Sequence, residues 1–241
     1  MITDLLENTL HLIIILPIVF MFLKNRNKEN YYKIVIFIFV FLAYEFIIKL
    51  PWHFELFNFI HSKWNWDGKL MGVLFGLISF MLFKKQFQNY NYFTLKQDKE
   101  NKNKVFWVSG GVVVLATIIW YIFGKTDFNI ETLAFNLILP GIDEEIIFRG
   151  ILLGLLMSIL KENVLSIINP SVLITSILFG FIHALKLNSH NSINFDTIYF
   201  FQTGLAGYAW GWITVKSKSI LFAILSHNFS NFFGTLITMI K

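Results

Sequence analysis

The sequence predicts an all-α fold: a polytopic integral membrane bundle of about eight transmembrane helices. Of its 241 residues, 56% are hydrophobic and only 15% are charged, whereas soluble domains have about 25% charged residues. Apolar segments alternate with short polar connectors, and several approach the roughly 20 residues that a bilayer span needs. These observations exclude a water-soluble enzyme and leave no stretch for a separate aqueous domain.

The four segments of the front half are apolar runs bounded by polar or interfacial residues. The first follows an acidic start, residues 1–7, unlike the basic start of a signal peptide, so we expect it to remain as an anchor. Tyr31 and Tyr32 precede the second segment, and Trp64 and Trp66 precede the third, as aromatic residues do at a bilayer interface. The fourth is a long uninterrupted run. The four segments cover residues 9–23, 33–46, 70–83 and 105–123.

The four segments of the back half are also apolar but contain polar and charged residues. The fifth is the longest, and Pro140 and Gly141 can break or kink its helix and bare backbone that suits a water-filled cavity. The sixth contains His183 near its end. The seventh has Gly207 and Gly211 at a spacing typical of close helix packing. The four segments cover residues 132–160, 172–185, 197–215 and 220–240.

Lysine and arginine are divided unevenly between the two sets of connectors. Counted with the residues beside them, the connectors after the first, third, fifth and seventh segments carry 13 lysines and arginines. The remaining connectors and the C-terminus carry six. The positive-inside rule therefore places the first set in the cytoplasm and both termini outside. The net charge of +5 suits such orientation signals and anionic headgroups, so we expect membrane lipid as a partner and no nucleic acid.

An Asn- and Lys-rich stretch, residues 86–104, divides the chain. Its composition indicates a solvated cytoplasmic loop. The predicted organisation is a variable set of N-terminal transmembrane helices with this basic loop, residues 1–125, and a motif-bearing transmembrane core, residues 126–241.

Charged residues in the fifth segment indicate a functional site. Asp143, Glu144 and Glu145 are followed by Arg149, and each ionisable group at the bilayer centre costs at least about 2.5 to 3.5 kcal/mol on insertion scales. Glu145 and Arg149 are one helical turn apart and can pair. Glu144 lies about 100° around the helix and is predicted to be free for another task. A structural ion-pair cluster is the alternative interpretation of this segment alone.

Two histidines and an asparagine lie in other apolar segments. His183 follows Phe179 by one turn in the sixth, and His227 precedes Asn231 by one turn in the eighth. At 1.5 Å per residue, Glu144, His183 and Asn231 lie about 18 to 25 Å from the cytoplasmic ends of their segments. These groups and His227 can therefore share one layer of the membrane.

These residues resemble the CPBP family of intramembrane proteases, also called the Abi or type II CAAX prenyl endopeptidase family. Its three motifs, Glu-Glu-x-x-x-Arg, Phe-x-x-x-His and His-x-x-x-Asn, are complete and in order at residues 144–149, 179–183 and 227–231. The resemblance covers roughly residues 130–239 and makes residues 126–241 the predicted catalytic core. It implies an intramembrane endopeptidase, and the heavy use of Ile, Lys, Asn and Phe favours a bacterial cytoplasmic membrane as its location.

The resemblance also implies roles for the motif residues. Glu144 is the expected general base for water, and His183 helps to hold and polarise that water. His227 and Asn231 are the expected donors to the oxyanion, with Glu145 and Arg149 in support. Hydrolysis of a peptide bond needs both a base and oxyanion donors.

The sequence is compatible with either a zinc-dependent or a metal-free peptidase reaction. The family is often labelled metalloprotease, and Glu144, His183 and His227 would form a His₂Glu zinc site with one open position. We favour the metal-free version, because Asn231 is a poor zinc ligand and a good oxyanion donor. The chain has no cysteine, which excludes thiolate ligands and nucleophiles.

The rival class is a non-catalytic transporter or scaffold that uses the buried Glu, His and Arg cluster as a proton relay or gate. Transporters are commonly built from internal repeats, whereas the two halves of this chain share no visible repeat. For an enzyme, the expected partner is a membrane-associated peptide or protein substrate. It could be a prenylated C-terminus, a pheromone or bacteriocin precursor, or another membrane-tethered peptide. Heavy use of Ile, Lys, Asn and Phe hints at an AT-rich bacterial genome and favours the non-prenyl substrates.

Overall fold

The computed structural model describes residues 1–87, 89–162, 168–188 and 190–241, and helices make up most of them, which confirms the all-α prediction. A π-helix at Ile146–Leu152 joins α6 to α7, and short 3₁₀ helices cover Glu55–Phe57 and Lys84–Phe87. Strands β1 (Leu185–Leu187) and β2 (Ile193–Phe195) form a small antiparallel hairpin. The helices are α1 Ile2–Met21, α2 Lys28–Ile47, α3 Leu50–His53, α4 Trp66–Phe83, α5 Lys102–Phe123, α6 Ile130–Glu145, α7 Leu153–Ile159, α8 Pro170–Ala184, α9 Thr197–Ser217 and α10 Leu221–Ile240.

Side-chain caps explain where half of the helices begin. In each case an Asn or Asp side chain accepts a hydrogen bond from the backbone N–H three residues later, which satisfies a donor that the helix leaves unpaired. Because of these caps, α2 and α4 begin four or five residues before the apolar runs that predict them. The capping residues are Asn27, Asn65, Asn129, Asn169 and Asp196.

Within the described residues, four helical segments are long and apolar enough to cross a membrane: Ile2–Met21, Lys28–Ile47, Trp66–Phe87 and Lys102–Phe123. All four belong to the front half. In the back half, a π-helix follows α6, α8 has only 15 residues, and polar residues lower the hydropathy of the rest. The protein is an integral membrane protein, but the count of eight spans stays a prediction.

The connectors predicted to be cytoplasmic meet at one end of the bundle. The backbone N–H of Lys24 donates to Ile159, which joins the end of α1 to the end of α7. The loop after α4 is bound to the end of α9, because the N–H of Asp98 donates to Ser217. This loop was expected to be solvated, but Phe87 and Tyr92 are buried within the protein. Aromatic residues in an otherwise polar loop explain the difference.

The continuous run α6, π-helix and α7 forms the centre of the molecule. Every residue from Asp143 to Leu156 is buried, with α2, α4, α8, α9 and α10 packed around this run. The sequence predicts one helical segment over residues 132–160 that Pro140 and Gly141 can break or kink. In the structure α6 continues through both residues, and the π-helix follows directly after the three acids. Such local widening of a helix occurs frequently at functional sites.

Candidate active site

Glu145 links two of the motifs. Its Oε2 lies 3.1 Å from Arg149 Nε, and both side chains are fully buried. This contact is the one that the spacing of four residues predicts. Its Oε1 lies 3.0 Å from His227 Nδ1, and because a carboxylate accepts, Nδ1 donates. The carboxylate therefore neutralises the arginine and also fixes the orientation of the imidazole.

Arg149 lies in an aromatic pocket. Its guanidinium carbon lies 5.1 Å from the centre of the Phe179 ring and 5.9 Å from that of Phe148. A methyl group at Gly207 would lie 3.1 Å from Arg149 Nη2, so the absence of a side chain there leaves room for the cation. Neither Nη atom has a hydrogen-bond partner among the described residues. The Glu145 carboxylate and the ring faces compensate the buried charge.

Glu144 is not free, contrary to the sequence expectation. Lys69 Nζ, from the first turns of α4, lies 2.6 Å from Glu144 Oε1. The other oxygen, Oε2, lies 3.8 Å from His227 Nε2. The apolar run over residues 70–83 predicts that Lys69 lies in a connector, because the run alone does not reveal the cap at Asn65, which starts the helix at Trp66. The cap is the sequence signal that places Lys69 inside α4.

Asp143 and Tyr44 complete this polar cluster, and sequence reasoning gave neither of them a role. The Tyr44 hydroxyl donates to Asp143 Oδ2 at 2.7 Å, and Lys69 Nζ lies 2.9 Å from the same oxygen. Any side chain at Gly72 would overlap the Asp143 carboxylate, so glycine allows α4 to approach α6 closely here. No local pattern predicts the contact of Tyr44, which lies 99 residues from Asp143.

His227 packs against an indole as well as binding Glu145. Its ring stacks on Trp210, with centroids 3.8 Å apart and planes 11° apart. The Trp210 Nε1–H donates to Ser226 on α10. With Nδ1 bound to Glu145 and one face covered by Trp210, the imidazole turns Nε2 towards Glu144. Trp210 was not predicted as part of the site.

His183 lies half-buried at the end of α8. Its Nδ1 lies 2.8 Å from the carbonyl oxygen of Phe179, which accepts the hydrogen bond and leaves Nε2 available. The Phe179 ring contacts the His183 ring at 4.5 Å and lies 6.1 Å from the His227 ring. Phe179 therefore lies between the two histidines and beneath Arg149.

The two asparagines of α10 have different surroundings. The Asn231 side chain is half-buried and makes no hydrogen bond with any residue that the structure describes. Asn228 instead accepts from the Gly141 N–H at 2.7 Å and donates to the Ile138 carbonyl at 3.1 Å. The backbone around Pro140 was expected to be bare and to line a water-filled cavity. The Asn228 amide satisfies part of it instead.

The described residues do not fit a zinc site. No group of three His, Asp or Glu side chains in this part of the chain is arranged to hold a metal ion. The Lys69 ammonium already binds the carboxylate of Glu144, and a second cation at that carboxylate would be repelled. We therefore derive no step through a metal.

The fold and the site together define a helical membrane protein whose acids, histidines and arginine are buried in a polar cluster. Residues 126–233 match the family model described as Type II CAAX prenyl endopeptidase Rce1-like. The resemblance to the CPBP family that the three motifs indicate is confirmed for this segment, which contains all three. The match supports a membrane endopeptidase as the general class of protein. No curated protein and no solved structure matches the chain.

Proposed function

We propose that the protein is an intramembrane endopeptidase in which Glu144 activates a water molecule. One observation carries the proposal: Glu144 Oε1 is bound by Lys69, while Oε2 faces His227 Nε2 across 3.8 Å. That separation is too long for a direct hydrogen bond. A water molecule can bond both atoms across it, next to a carboxylate that can accept its proton.

The proposed reaction uses the remaining motif residues as donors. Glu144 Oε2 takes a proton from water as the water oxygen attacks the scissile carbonyl carbon, with His183 Nε2 polarising the water. The Asn231 amide and a protonated His227 Nε2 donate to the oxyanion. Glu144 then transfers its proton to the amine nitrogen as the peptide bond breaks. The products are one new carboxyl group and one new amine.

Glu145 and Arg149 support the site without touching substrate. Glu145 holds the His227 ring at Nδ1, and Arg149 neutralises Glu145. A carboxylate that orients a catalytic imidazole is common in hydrolases. The proposed catalytic residues are therefore Glu144, His183, His227 and Asn231.

The proposed substrate is a membrane-associated peptide or protein in a bacterial cytoplasmic membrane. The site is enclosed by helices of an integral membrane protein, so a segment held at or in the bilayer reaches it most directly. The family description names a prenyl substrate class. The composition of the chain favours a peptide or bacteriocin precursor instead. Residues 126–241 would form the catalytic core in either case.

The experiment compares membrane-associated peptides from cells with and without the protein, by mass spectrometry of whole peptide extracts. In parallel, purified protein in liposomes is incubated with an S-farnesylated peptide with a free C-terminus, and with the same peptide carrying an N-terminal acyl chain instead. We expect matched pairs of fragments from one internal bond, at a rate that a strong chelator leaves unchanged. Absence of cleavage in cells and in liposomes would contradict the proposal.

A further inference from the structure

A cation from the front half of the chain contacts the proposed base. Lys69 Nζ lies within 2.9 Å of both Asp143 Oδ2 and Glu144 Oε1, and its side chain is only 13% exposed. Lys69 lies outside residues 126–233, where the family model matches. The motif-bearing segment therefore does not supply all of the side chains that hold Glu144.

We propose that Lys69 is a positioning residue for Glu144, held in turn by Asp143 and Tyr44. The inference rests on the proposed function, because the orientation of Glu144 affects a reaction only if Glu144 is the base. It gives the front half of the chain a part in catalysis that the three motifs do not contain.

The geometry of the carboxylate is the first argument. The two oxygens of a glutamate exchange places by rotation of one bond, so an unbound carboxylate presents either oxygen in many directions. Lys69 binds Oε1 at 2.6 Å, and this contact directs Oε2 towards His227 Nε2. A charge-assisted hydrogen bond of this length is strong enough to fix one orientation.

The support of Lys69 itself is the second argument. A lysine side chain has four rotatable bonds and is a poor anchor unless its ammonium is bound. Asp143 binds the ammonium, and the Tyr44 hydroxyl binds the same Asp143 oxygen at 2.7 Å. Gly72, one turn after Lys69, leaves the space that Asp143 occupies. Side chains from α6 and α2 thus hold the ammonium of Lys69, which lies on α4.

A purely structural role is the alternative to be tested. Three consecutive acids are buried here, and Lys69 would also be needed as a counter-ion if Glu144 had no chemical task. The double variant Lys69→Met/Asp143→Asn separates the two roles. It removes one positive and one negative charge together, so the cluster keeps its charge balance while Glu144 loses the group that directs it.

The first experiment tests the contact without any need for proteolysis. Dicyclohexylcarbodiimide, an apolar reagent, joins an amine to a carboxylate in contact with it and takes up the water that the new amide bond releases. We expect mass spectrometry to find Lys69 linked to Asp143 or Glu144, and to Glu144 alone in Asp143→Asn. The link should be absent in Lys69→Met and present in Lys63→Met. Lys63 is exposed in the connector just before α4 and forms no ion pair with the described residues.

The second experiment measures kcat and KM on the fastest-cleaved peptide of the liposome panel. We expect Lys69→Met to lower kcat by about 10²-fold, the lower part of the range for general-base catalysis, with KM within about twofold of wild type. The double variant should melt within about 3 °C of wild type but keep the low kcat. Lys63→Met should keep wild-type kcat.

Each contrary result overturns the proposal in a recognisable way. If carbodiimide modifies Glu144 in Asp143→Asn but never links it to Lys69, the contact is wrong. If the double variant regains wild-type kcat together with its stability, Lys69 is only a counter-ion. If the link forms but no peptide is cleaved by the wild type, the proposed function has failed, and Lys69 belongs to a structural ion pair.

Discussion

At the residue scale, Glu145 illustrates how one side chain serves two partners. It contacts Arg149 and His227 in a fully buried position. Glu145→Ala leaves the Arg149 guanidinium without its carboxylate. We expect a loss of about 3 to 5 kcal/mol in the free energy of unfolding, as for other broken buried pairs. Denaturant unfolding in a mild detergent measures this loss.

The matched control for that prediction is Glu145→Ala/Arg149→Ala. Removing both partners leaves no unpaired charge, so the double variant should be more stable than Glu145→Ala alone. A double variant no more stable than either single variant would show that the pair does not govern stability here.

At the same scale, we expect substitution of the two asparagines of α10 to have different effects, one on stability and the other on catalysis. Asn228→Ala leaves the Gly141 N–H and the Ile138 carbonyl without the amide, at a cost of about 1 to 3 kcal/mol in the free energy of unfolding for each buried group left unpaired.

Asn231 makes no hydrogen bond with the described residues. Asn231→Ala should therefore keep wild-type stability and lower kcat by about 10² to 10³-fold, as expected for a lost oxyanion donor. Unfolding and cleavage of both variants provide the comparison, and a stability loss in Asn231→Ala with unchanged kcat would reverse the assignment.

Sequence reasoning at this scale found the residues that recur at helical spacing and missed those that meet across the fold. Glu145 and Arg149 lie one turn apart, and their contact follows from that spacing alone. Lys69, Tyr44, Trp210 and Asn228 act on groups in other helices. Their contacts depend on how the helices pack, which no local pattern specifies.

At the element scale, caps and glycines set the position of α4. The apolar run predicts a helix over residues 70–83, whereas the cap at Asn65 starts α4 at Trp66 and brings Lys69 into the helix. The sequence does not predict the π-helix after Glu145 either, because residues 146–152 are mostly apolar, as they would be in a regular transmembrane α-helix. Periodicity thus predicts that a helix exists but neither its first turn nor its interruption.

Gly72 tests whether the close approach of α4 and α6 matters. A methyl group in Gly72→Ala would overlap Asp143 and lie 3.0 Å from Ile48 Cγ2. We expect the melting temperature to fall and the carbodiimide link at Lys69 to weaken. Gly110→Ala in α5 is the matched control, because its methyl group would meet nothing within 4 Å, and alanine favours a helix by up to about 1 kcal/mol over glycine. Equal melting temperatures for the two variants would contradict the described packing.

At the scale of the whole molecule, the distribution of lysine and arginine predicts which side of the membrane each connector faces. The native chain has no cysteine, so single cysteines at Lys63 and Lys99 can be labelled without background. Both positions are exposed and lie on connectors predicted to face opposite sides. A membrane-impermeant maleimide should label Lys63→Cys in intact cells, and should label Lys99→Cys only after permeabilisation. The reverse pattern would invert the predicted topology.

The division of the chain into a variable front half and a catalytic back half predicts the location of the motifs but not the extent of the site. Residues 144–149, 179–183 and 227–231 all lie in the back half, within the segment that the family model matches. The front half contributes Tyr44 and Lys69 to the same polar cluster. Composition separates the halves well, yet three-dimensional packing joins them.

The most direct test of the central claim is the cleavage rate of Glu144→Gln in liposomes, on whichever peptide the wild type cleaves fastest. Glutamine keeps the shape of the side chain and cannot accept the proton of water at neutral pH. We therefore expect the rate to fall by at least about 10² to 10⁴-fold, with insertion, yield and melting temperature close to wild type. Glu100→Gln, an exposed glutamate in the loop after α4, should cleave at the wild-type rate. Wild-type cleavage by Glu144→Gln would contradict the assignment of Glu144 as the base.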